Sequence, residues 1–337
     1  MFSDAVAFKQ QIIPIWLKPL SCPPITRRLE NIVGAETRNT DEAARVVRSE
    51  RMVGVFCAIL VILLFSSFTL VSRLGLSASS LAVPDLAALR FGIGTVVLLP
   101  VLLRHGLVGR TWRETATLGF LGGLGFALFA YTGFTLAPAA HGAVLLHGTL
   151  PLFTAALMAT TARAAHDRRR LAGVALIGLG VVLMVVDSLA GATPRQFLGD
   201  LCLLLASLCW SGYGVLARRL GVAPARAAAT VAAFSAAVFL PVYVLLPGMA
   251  LLHAAPHDLV VQAVFQGVLV GAVSIFVYTH AVAALGPGET ALFTAAVPPV
   301  TTLAAIPLLG EMPHSLAAVG VGVVTLGMVV GLSRGRG

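Results

Sequence analysis

YTGFTLAPAAHGAVLLHGTLPLFTAALMATTARAAHDRRRLAGVALIGLGVVL, residues 131–183, and YTHAVAALGPGETALFTAAVPPVTTLAAIPLLGEMPHSLAAVGVGVVTLGMVV, residues 278–330, are two versions of one stretch. Laid over each other without a gap, they put Tyr131 on Tyr278, Thr132 on Thr279, Pro151 on Pro298 and Thr154 on Thr301. The same register puts Gly173 on Gly320 and Gly180 on Gly327. Eleven of the 53 positions are identical, against about 5 expected by chance in chains this rich in Ala, Leu, Val and Gly. The coincidence of Pro and Gly weighs more than the count, because these residues punctuate helices. Each copy holds the end of one apolar run, a second run with Pro near its middle, a polar break and a third run. The chain therefore contains a duplicated helical unit.

Working outward, composition sets the solvent. Of 337 residues, 58% are hydrophobic and 11% charged, and the mean hydropathy is +0.94. Soluble domains carry about 25% charged residues. A chain this apolar cannot cover itself with an ordinary wet surface, so the class is all-α integral membrane protein with the lipid bilayer as its partner. The net charge of +9 does not indicate nucleic acid, because the basic residues sit in short clusters between apolar runs, such as Arg168-Arg169-Arg170 and Arg218-Arg219. Such clusters read as topology signals. Cys22, Cys57, Cys202 and Cys209 form no CxxC and no metal-ligand spacing. No metal or other cofactor is expected.

Residues 1–50 are polar, mixed in charge and broken by Pro14, Pro19, Pro23 and Pro24. They read as a flexible cytoplasmic tail, with Met52 or a nearby codon as an alternative start. Ten apolar runs follow, near 53–72, 85–103, 117–136, 141–162, 171–188, 198–217, 227–246, 259–283, 289–309 and 315–332, each about long enough to cross ~30 Å of hydrocarbon. The first and sixth runs also match: Gly54-Val-Phe-Cys57 resembles Gly199-Asp-Leu-Cys202, and Arg73 lines up with Arg218. The expected repeats are 51–188 and 198–332. With the N-terminal tail inside, the inner loops hold twelve arginines and the outer loops only Arg73 and Arg195, which places both termini in the cytoplasm. Five spans per repeat is an odd number, so the second repeat crosses upside down. Inverted repeats of this kind mark transporters with a substrate site near the midplane.

An ordered set of short features carries a family resemblance over roughly 53–332. It comprises Pro84 and Leu89-Arg90-Phe91; Pro138-Ala-Ala-His141 followed by Leu150-Pro151-Leu-Phe153; and Gly199-Asp200-Leu201 with Trp210. In the second half it comprises Gly286-Pro287, Pro298 and Leu309-Gly310-Glu311. Together they resemble the EamA family of the drug/metabolite transporter superfamily. One departure is that Arg163-Ala164 stands where the first repeat of such proteins has a Gly-Glu like Gly310-Glu311. The resemblance implies export of amino acids or related small metabolites across a bacterial inner membrane; export of drugs or cationic compounds is the alternative. A homodimer is allowed.

Ionisable groups at membrane depth are costly, about 2.5–3.5 kcal/mol each on insertion scales, and so are candidates for function. The deepest is His147, four residues before Pro151, which could bind a carboxylate or carry a proton; it could equally be a neutral histidine bonded to a neighbouring helix. His141 lies on another face of the same run, near the outer boundary. Arg90 needs a partner, either an anionic substrate group or Asp85 or Asp187 near the same end. Glu289 and Glu311 are explained by helix termini. Tyr131, Tyr278 and Trp210 could line a cavity or anchor the interface. Pro151, Pro298 and Pro299 interrupt backbone hydrogen bonding at mid-membrane and could serve as gates or merely shape the helices. The glycine pairs, such as Gly119 with Gly123 and Gly267 with Gly271, read as close-contact seams.

The chain has no GxxxxGK[ST] loop, HExxH or GxSxG, so neither ATP drive nor a known hydrolytic constellation is written in it. The expected function is a secondary carrier driven by a gradient of substrate or protons, not an enzyme. A channel or non-transporting scaffold is the remaining alternative.

Overall fold

The structure is a computed structural model that describes residues 40–109, 111–159, 168–191, 194–245, 251, 253–313 and 315–332, with backbone alone at 40–47, 170, 187–191 and 332. The described residues are helical apart from short connections. In chain order the helices are α1 (Thr40–Ala78), α2 (Val83–His105), α3 (Trp112–Leu136), α4 (Ala139–Ala159), α5 (Arg168–Gly191), α6 (Pro194–Leu220), α7 (Pro224–Leu245), α8 (Pro256–Leu285), α9 (Pro287–Leu309) and α10 (Ser315–Leu332). Eight of them, all but α5 and α10, are long and apolar enough to cross a membrane. The apolar parts of α5 and α10, Leu171–Val186 and Ser315–Gly331, are shorter. Residues 40–50, read from sequence as tail, belong to α1; residues 1–39 lie outside the described residues.

Large apolar side chains line the outside of the bundle, among them Phe56, Ile59 and Leu63 on α1, Val96 and Leu103 on α2, Val242 on α7 and Leu303 on α9. A soluble monomer does not expose so much apolar surface; a helical bundle in lipid does, because its backbone polar groups are satisfied within each helix.

The packing obeys the duplication. Exchanging each helix with the one five places away maps the neighbours onto themselves. α1 packs on α8 as α6 packs on α3, α2 on α8 as α7 on α3, and α1 on α9 as α6 on α4. Three pairs map onto themselves: α2 with α7, α4 with α9, and α5 with α10. Glycines set these seams. A Cβ on Gly173 would lie 2.6 Å from the Gly327 carbonyl oxygen, and one on Gly327 would lie 2.7 Å from that of Gly173, so α5 and α10 touch backbone to backbone. Gly119 and Gly123 on α3 face Phe234, Val231 and Ser235 on α7, while Gly267 and Gly271 on α8 face Leu89, Ile93 and the Arg90 carbonyl on α2.

The matched prolines break helices rather than bend them. α4 runs as Ala139–His141, a wide π-helical stretch Gly142–Gly148, and then Leu150–Ala159 after a turn at Thr149. α9 runs as Pro287–Thr294 and Val297–Leu309, with its turn at Ala295 and Ala296. Pro151 and Pro298 each stand second in the new segment, and Pro299 follows third. A proline is tolerated there because its missing N–H would have no intrahelical acceptor. The two breaks meet: the Pro298 ring is the nearest neighbour of the face of Gly148. π-helical stretches also interrupt α3 at Phe120–Leu124 and α8 at Ala263–Ser274, again at equivalent places.

Candidate functional site

At the centre of the bundle an aromatic cluster joins the two repeats. Trp210 of α6 lies 4.6 Å from Phe126 of α3, 4.9 Å from Tyr278 of α8 and 5.7 Å from Phe65 of α1, centroid to centroid. Phe65 in turn lies 5.0 Å from the His147 ring of α4 and 5.9 Å from Tyr278. At the other end, the Arg90 guanidinium of α2 sits 5.1 Å from the centre of Phe126 and 5.4 Å from that of Phe68. The structure thus gathers His147, Arg90, Trp210, Tyr131 and Tyr278 in one place. Sequence periodicity alone could not link them, because they come from five helices.

Their hydrogen bonding is incomplete. Arg90 is 1% exposed and His147 2%, yet Nη1 and Nη2 of Arg90, Nδ1 of His147, Nε1 of Trp210 and Oγ of Ser66 have no protein partner. Tyr131 stands beside the guanidinium, and its hydroxyl donates to Gln266, leaving Nη1 and Nη2 without a partner at full hydrogen-bonding geometry. Buried polar atoms are paired in the great majority of cases, and each orphan costs about 1–3 kcal/mol. The stacking of Arg90 on two phenyl rings returns about 0.5–2 kcal/mol, less than the several kcal/mol of desolvating a charge. Thr301 and Thr302 of α9 also carry an unpaired Oγ1, but Arg90, His147 and Trp210 are linked through the ring contacts of Phe126 and Phe65, and an outside partner could satisfy these three together.

Arg90 has no acidic partner among the described residues. Asp85, one turn and a half earlier, is engaged elsewhere: Oδ2 accepts from the Ala82 N–H at 2.7 Å, and Oδ1 accepts from Tyr243 Oη at 2.6 Å and the Leu251 N–H at 3.3 Å. The reading of Asp85 as a partner of Arg90 is therefore corrected, and the side chain of Asp187 lies outside the described residues. Gly271 places Arg90, because a Cβ there would come within 2.7 Å of the Arg90 carbonyl oxygen.

Satisfied polar groups flank the orphans. Tyr131 Oη donates to Gln266 Oε1 at 2.9 Å, Gln266 Nε2 donates to Ser72 Oγ and Gln262 Oε1 at 3.0 Å each, and Gln262 Nε2 donates to the Val71 carbonyl at 3.0 Å. Tyr213 and Thr279 share a 2.6 Å hydrogen bond. The glutamines went unnoticed in the sequence; their spacing of four residues on an apolar helix, a polar stripe one residue wide, was the available signal.

His141 is not part of this cluster. Its Nδ1 lies 3.1 Å from Asp200 Oδ1 of α6, both buried. It lines a small cleft of about 60 Å³ with Pro138, Thr302, Glu311 and Met312. Glu311 does more than end a helix: Oε1 accepts from Arg73 Nε and Oε2 from the Ala139 N–H, both at 2.8 Å. Glu289, in the first turn of α9, pairs with Arg51 at 2.6 Å. Among the described residues, no group of three or more His, Cys, Asp or Glu side chains could hold a metal.

The model of the EamA-like transporter family matches this chain twice, over residues 52–186 and 197–332. The chain belongs to the EamA-like transporter family. As a member with eight long apolar helices, it is a multi-pass membrane protein. One curated relative of this EamA-like protein is the "Uncharacterized transporter YyaM" of Bacillus subtilis (strain 168), 29% identical over 140 residues, or 40% of this chain and 46% of the relative. The match thus spans under half of the relative's length. A crystal structure described only as that of a protein shares the EamA-like chain's fold, with a TM-score of 0.60 and 23% identity over 85% of this chain and 96% of that one.

Proposed function

We propose that the chain is a secondary transporter that exports a small metabolite, in the first place an amino acid or a close relative, across a bacterial inner membrane by alternating access. In this reading α5 and α10 complete the count of ten spans, the two repeats lie inverted, and both termini face the cytoplasm, which the distribution of arginines supports. The single observation that carries the proposal is the set of orphaned polar atoms on Ser66, Arg90, His147 and Trp210. Those of Arg90, His147 and Trp210 belong to the aromatic cluster that joins helices of both repeats, which includes α4, one of the two helices broken at equivalent points. Discontinuous helices around a polar site at mid-depth are the recurring construction of inverted-repeat carriers. All the clustered side chains are buried, which fits an occluded state, so the cycle must open the bundle alternately on each side.

The equivalent breaks at Thr149 and at Ala295–Ala296 provide joints for that opening. Few backbone bonds hold each joint: the Phe153 N–H donates to the Thr149 carbonyl at one, and those of Ala295 and Ala296 donate to Leu292 and Phe293 at the other. Transport needs no bound cofactor in this scheme.

Counterflow in proteoliposomes tests the proposal. Vesicles holding the purified chain are loaded with unlabelled amino acids, nucleosides or cationic dyes, and uptake of the labelled compound is followed with and without a pH gradient. Saturable exchange of the amino-acid class is the expected result. Non-saturable flux would indicate a channel, and no exchange by folded protein would overturn the carrier reading.

A further inference from the structure

Arg90 is the one cation of the central cluster, and among the described residues no acid balances it. Its guanidinium lies over the rings of Phe68 and Phe126, while Nη1 and Nη2 have no acceptor. Among the described residues no carboxylate lies within ion-pair distance of it. The nearest acid on its own helix, Asp85, spends both oxygens on Ala82, Leu251 and Tyr243. The second group of acids, Asp200 and Glu311, is held by His141, Arg73 and Ala139. Two unpaired N–H groups on one planar guanidinium match the two oxygens of one carboxylate. We infer that Arg90 is the anchor for the carboxylate of the transported molecule, and that the site therefore selects carboxylate-bearing solutes and rejects cations that lack one.

The inference rests on the carrier reading above and narrows its substrate class. The remaining orphans extend the assignment. Trp210 Nε1 is a further donor, and His147 Nδ1 offers a donor or an acceptor according to tautomer. Phe126, Trp210 and Phe65 run ring to ring from Arg90 to His147 as an aromatic wall, with Tyr278 against Trp210. Such a wall can take an apolar substituent or the ammonium group of an amino acid over a ring face. A site with a permanent positive charge and no acid among the described residues repels a lipophilic cation, which separates this assignment from export of cationic compounds.

The test uses Trp210 as reporter. The full chain carrying Trp16→Phe and Trp112→Phe retains Trp210 as its only tryptophan. Its fluorescence is titrated with L-phenylalanine, L-leucine, L-threonine and lactate, each beside its own carboxamide, and with tetraphenylphosphonium. Counterflow of the same compounds is measured in parallel. At least one acid is expected to bind about tenfold or more tightly than its amide, the worth of a charge-assisted pair. Arg90→Gln should bring that acid down to the affinity of its amide, and Arg90→Lys should recover part of the difference. The acid–amide comparison in the protein with native Arg90 stands even where an Arg90 variant fails to fold.

Equal affinity for acid and amide throughout overturns the anchor, as does retention of the acid preference in folded Arg90→Gln. Binding of tetraphenylphosphonium as tight as that of the best acid also overturns it. Acid-selective, Arg90-dependent binding without counterflow leaves the anchor in place and removes the carrier reading. Counterflow of amides or cations as fast as that of acids does the reverse.

Discussion

Arg73 Nε donates to Glu311 Oε1 at 2.8 Å, while Glu311 Oε2 accepts from the backbone N–H of Ala139 at the same distance. One carboxylate therefore ties the end of α1 and the start of α4 to the turn between α9 and α10. Arg73 also donates through Nη1 to the Phe134 carbonyl at 2.7 Å. Its counterpart Arg218 donates likewise to the carbonyls of Val282 and Ala283 at the end of α8. In the second repeat the acid is Glu311; the position that matches it in the first is Ala164. The duplication has thus kept the arginine at both ends and the acid at one.

Removing that acid should loosen one end only. The side chains of Arg73 and Glu311 are 20% and 28% exposed, so solvent screens the ion pair to roughly 1 kcal/mol; loss of the acceptor for Ala139 adds about 0.5–2 kcal/mol. Glu311→Ala should destabilise the folded protein by about 1–3 kcal/mol in a denaturation series in detergent. A double-mutant cycle with Arg73→Gln should give a coupling of about 1 kcal/mol. A coupling of zero would mean that the two side chains act independently.

The seam between α5 and α10 gives a sharper contrast. A Cβ on Gly173 meets Gly331 and the Gly327 carbonyl within 2.7 Å, and one on Gly180 meets Val324 and the Gly320 carbonyl within 2.9 Å. Gly322, on the same helix α10, has open space. Gly173→Ala and Gly180→Ala should each lower stability by about 1–3 kcal/mol through overpacking. Gly322→Ala should be neutral or slightly stabilising, since alanine is the better helix former. Equal melting temperatures for Gly173→Ala and Gly322→Ala would show that the helices separate at no cost.

Much of the scaffold was legible in the sequence because it is written in residues with few uses. The Pro and Gly coincidences at Pro151 with Pro298 and Gly173 with Gly320 fixed the duplication before any contact was known. Apart from the first, whose helix starts at Thr40 rather than near 53, the apolar runs lie within a few residues of the observed helices. The prolines did not disclose that α4 and α9 break, because a single proline serves a kink as well as a first turn. Arg90, His147 and Trp210 were legible one by one as costly or bulky groups at depth, but not as neighbours. Pairings between helices, such as His141 with Asp200 or Glu289 with Arg51, depend on rotation about each helix axis, which period and hydropathy leave undetermined. Gln262 and Gln266 were missed because an uncharged amide on a long apolar run is read as tolerated until its partners are seen.

Those glutamines carry a prediction of their own. Gln266 accepts from Tyr131 and donates to Ser72 and Gln262, so Gln266→Leu strands three polar groups at once. The cost should be about 2–4 kcal/mol, more than for Gln262→Leu, which loses the contacts to Gln266 and to the Val71 carbonyl. Tyr131→Phe should cost only about 1 kcal/mol, and combined with Gln266→Leu it should add little, because the pair is then removed together. Additive losses in thermal denaturation would show that the two side chains are not coupled.

His147 separates chemistry from packing. Its ring touches Phe65 at 5.0 Å and its Nδ1 has no partner in the protein. Truncation to alanine therefore removes a ring from the core without stranding a polar partner at Nδ1. His147→Ala should reach the membrane in normal amount yet carry substrate about tenfold more slowly at matched protein level, as expected where a hydrogen bond to a bound solute is lost. His147→Phe keeps the ring and drops the nitrogens, so it should retain the stability of the native protein and still transport poorly. His141→Ala should behave differently, because it leaves the buried Asp200 carboxylate without its imidazole; its loss should appear first as lowered stability. Flux in His147→Phe equal to that of the native protein would remove His147 from the site and leave Arg90 and Trp210 as its polar members.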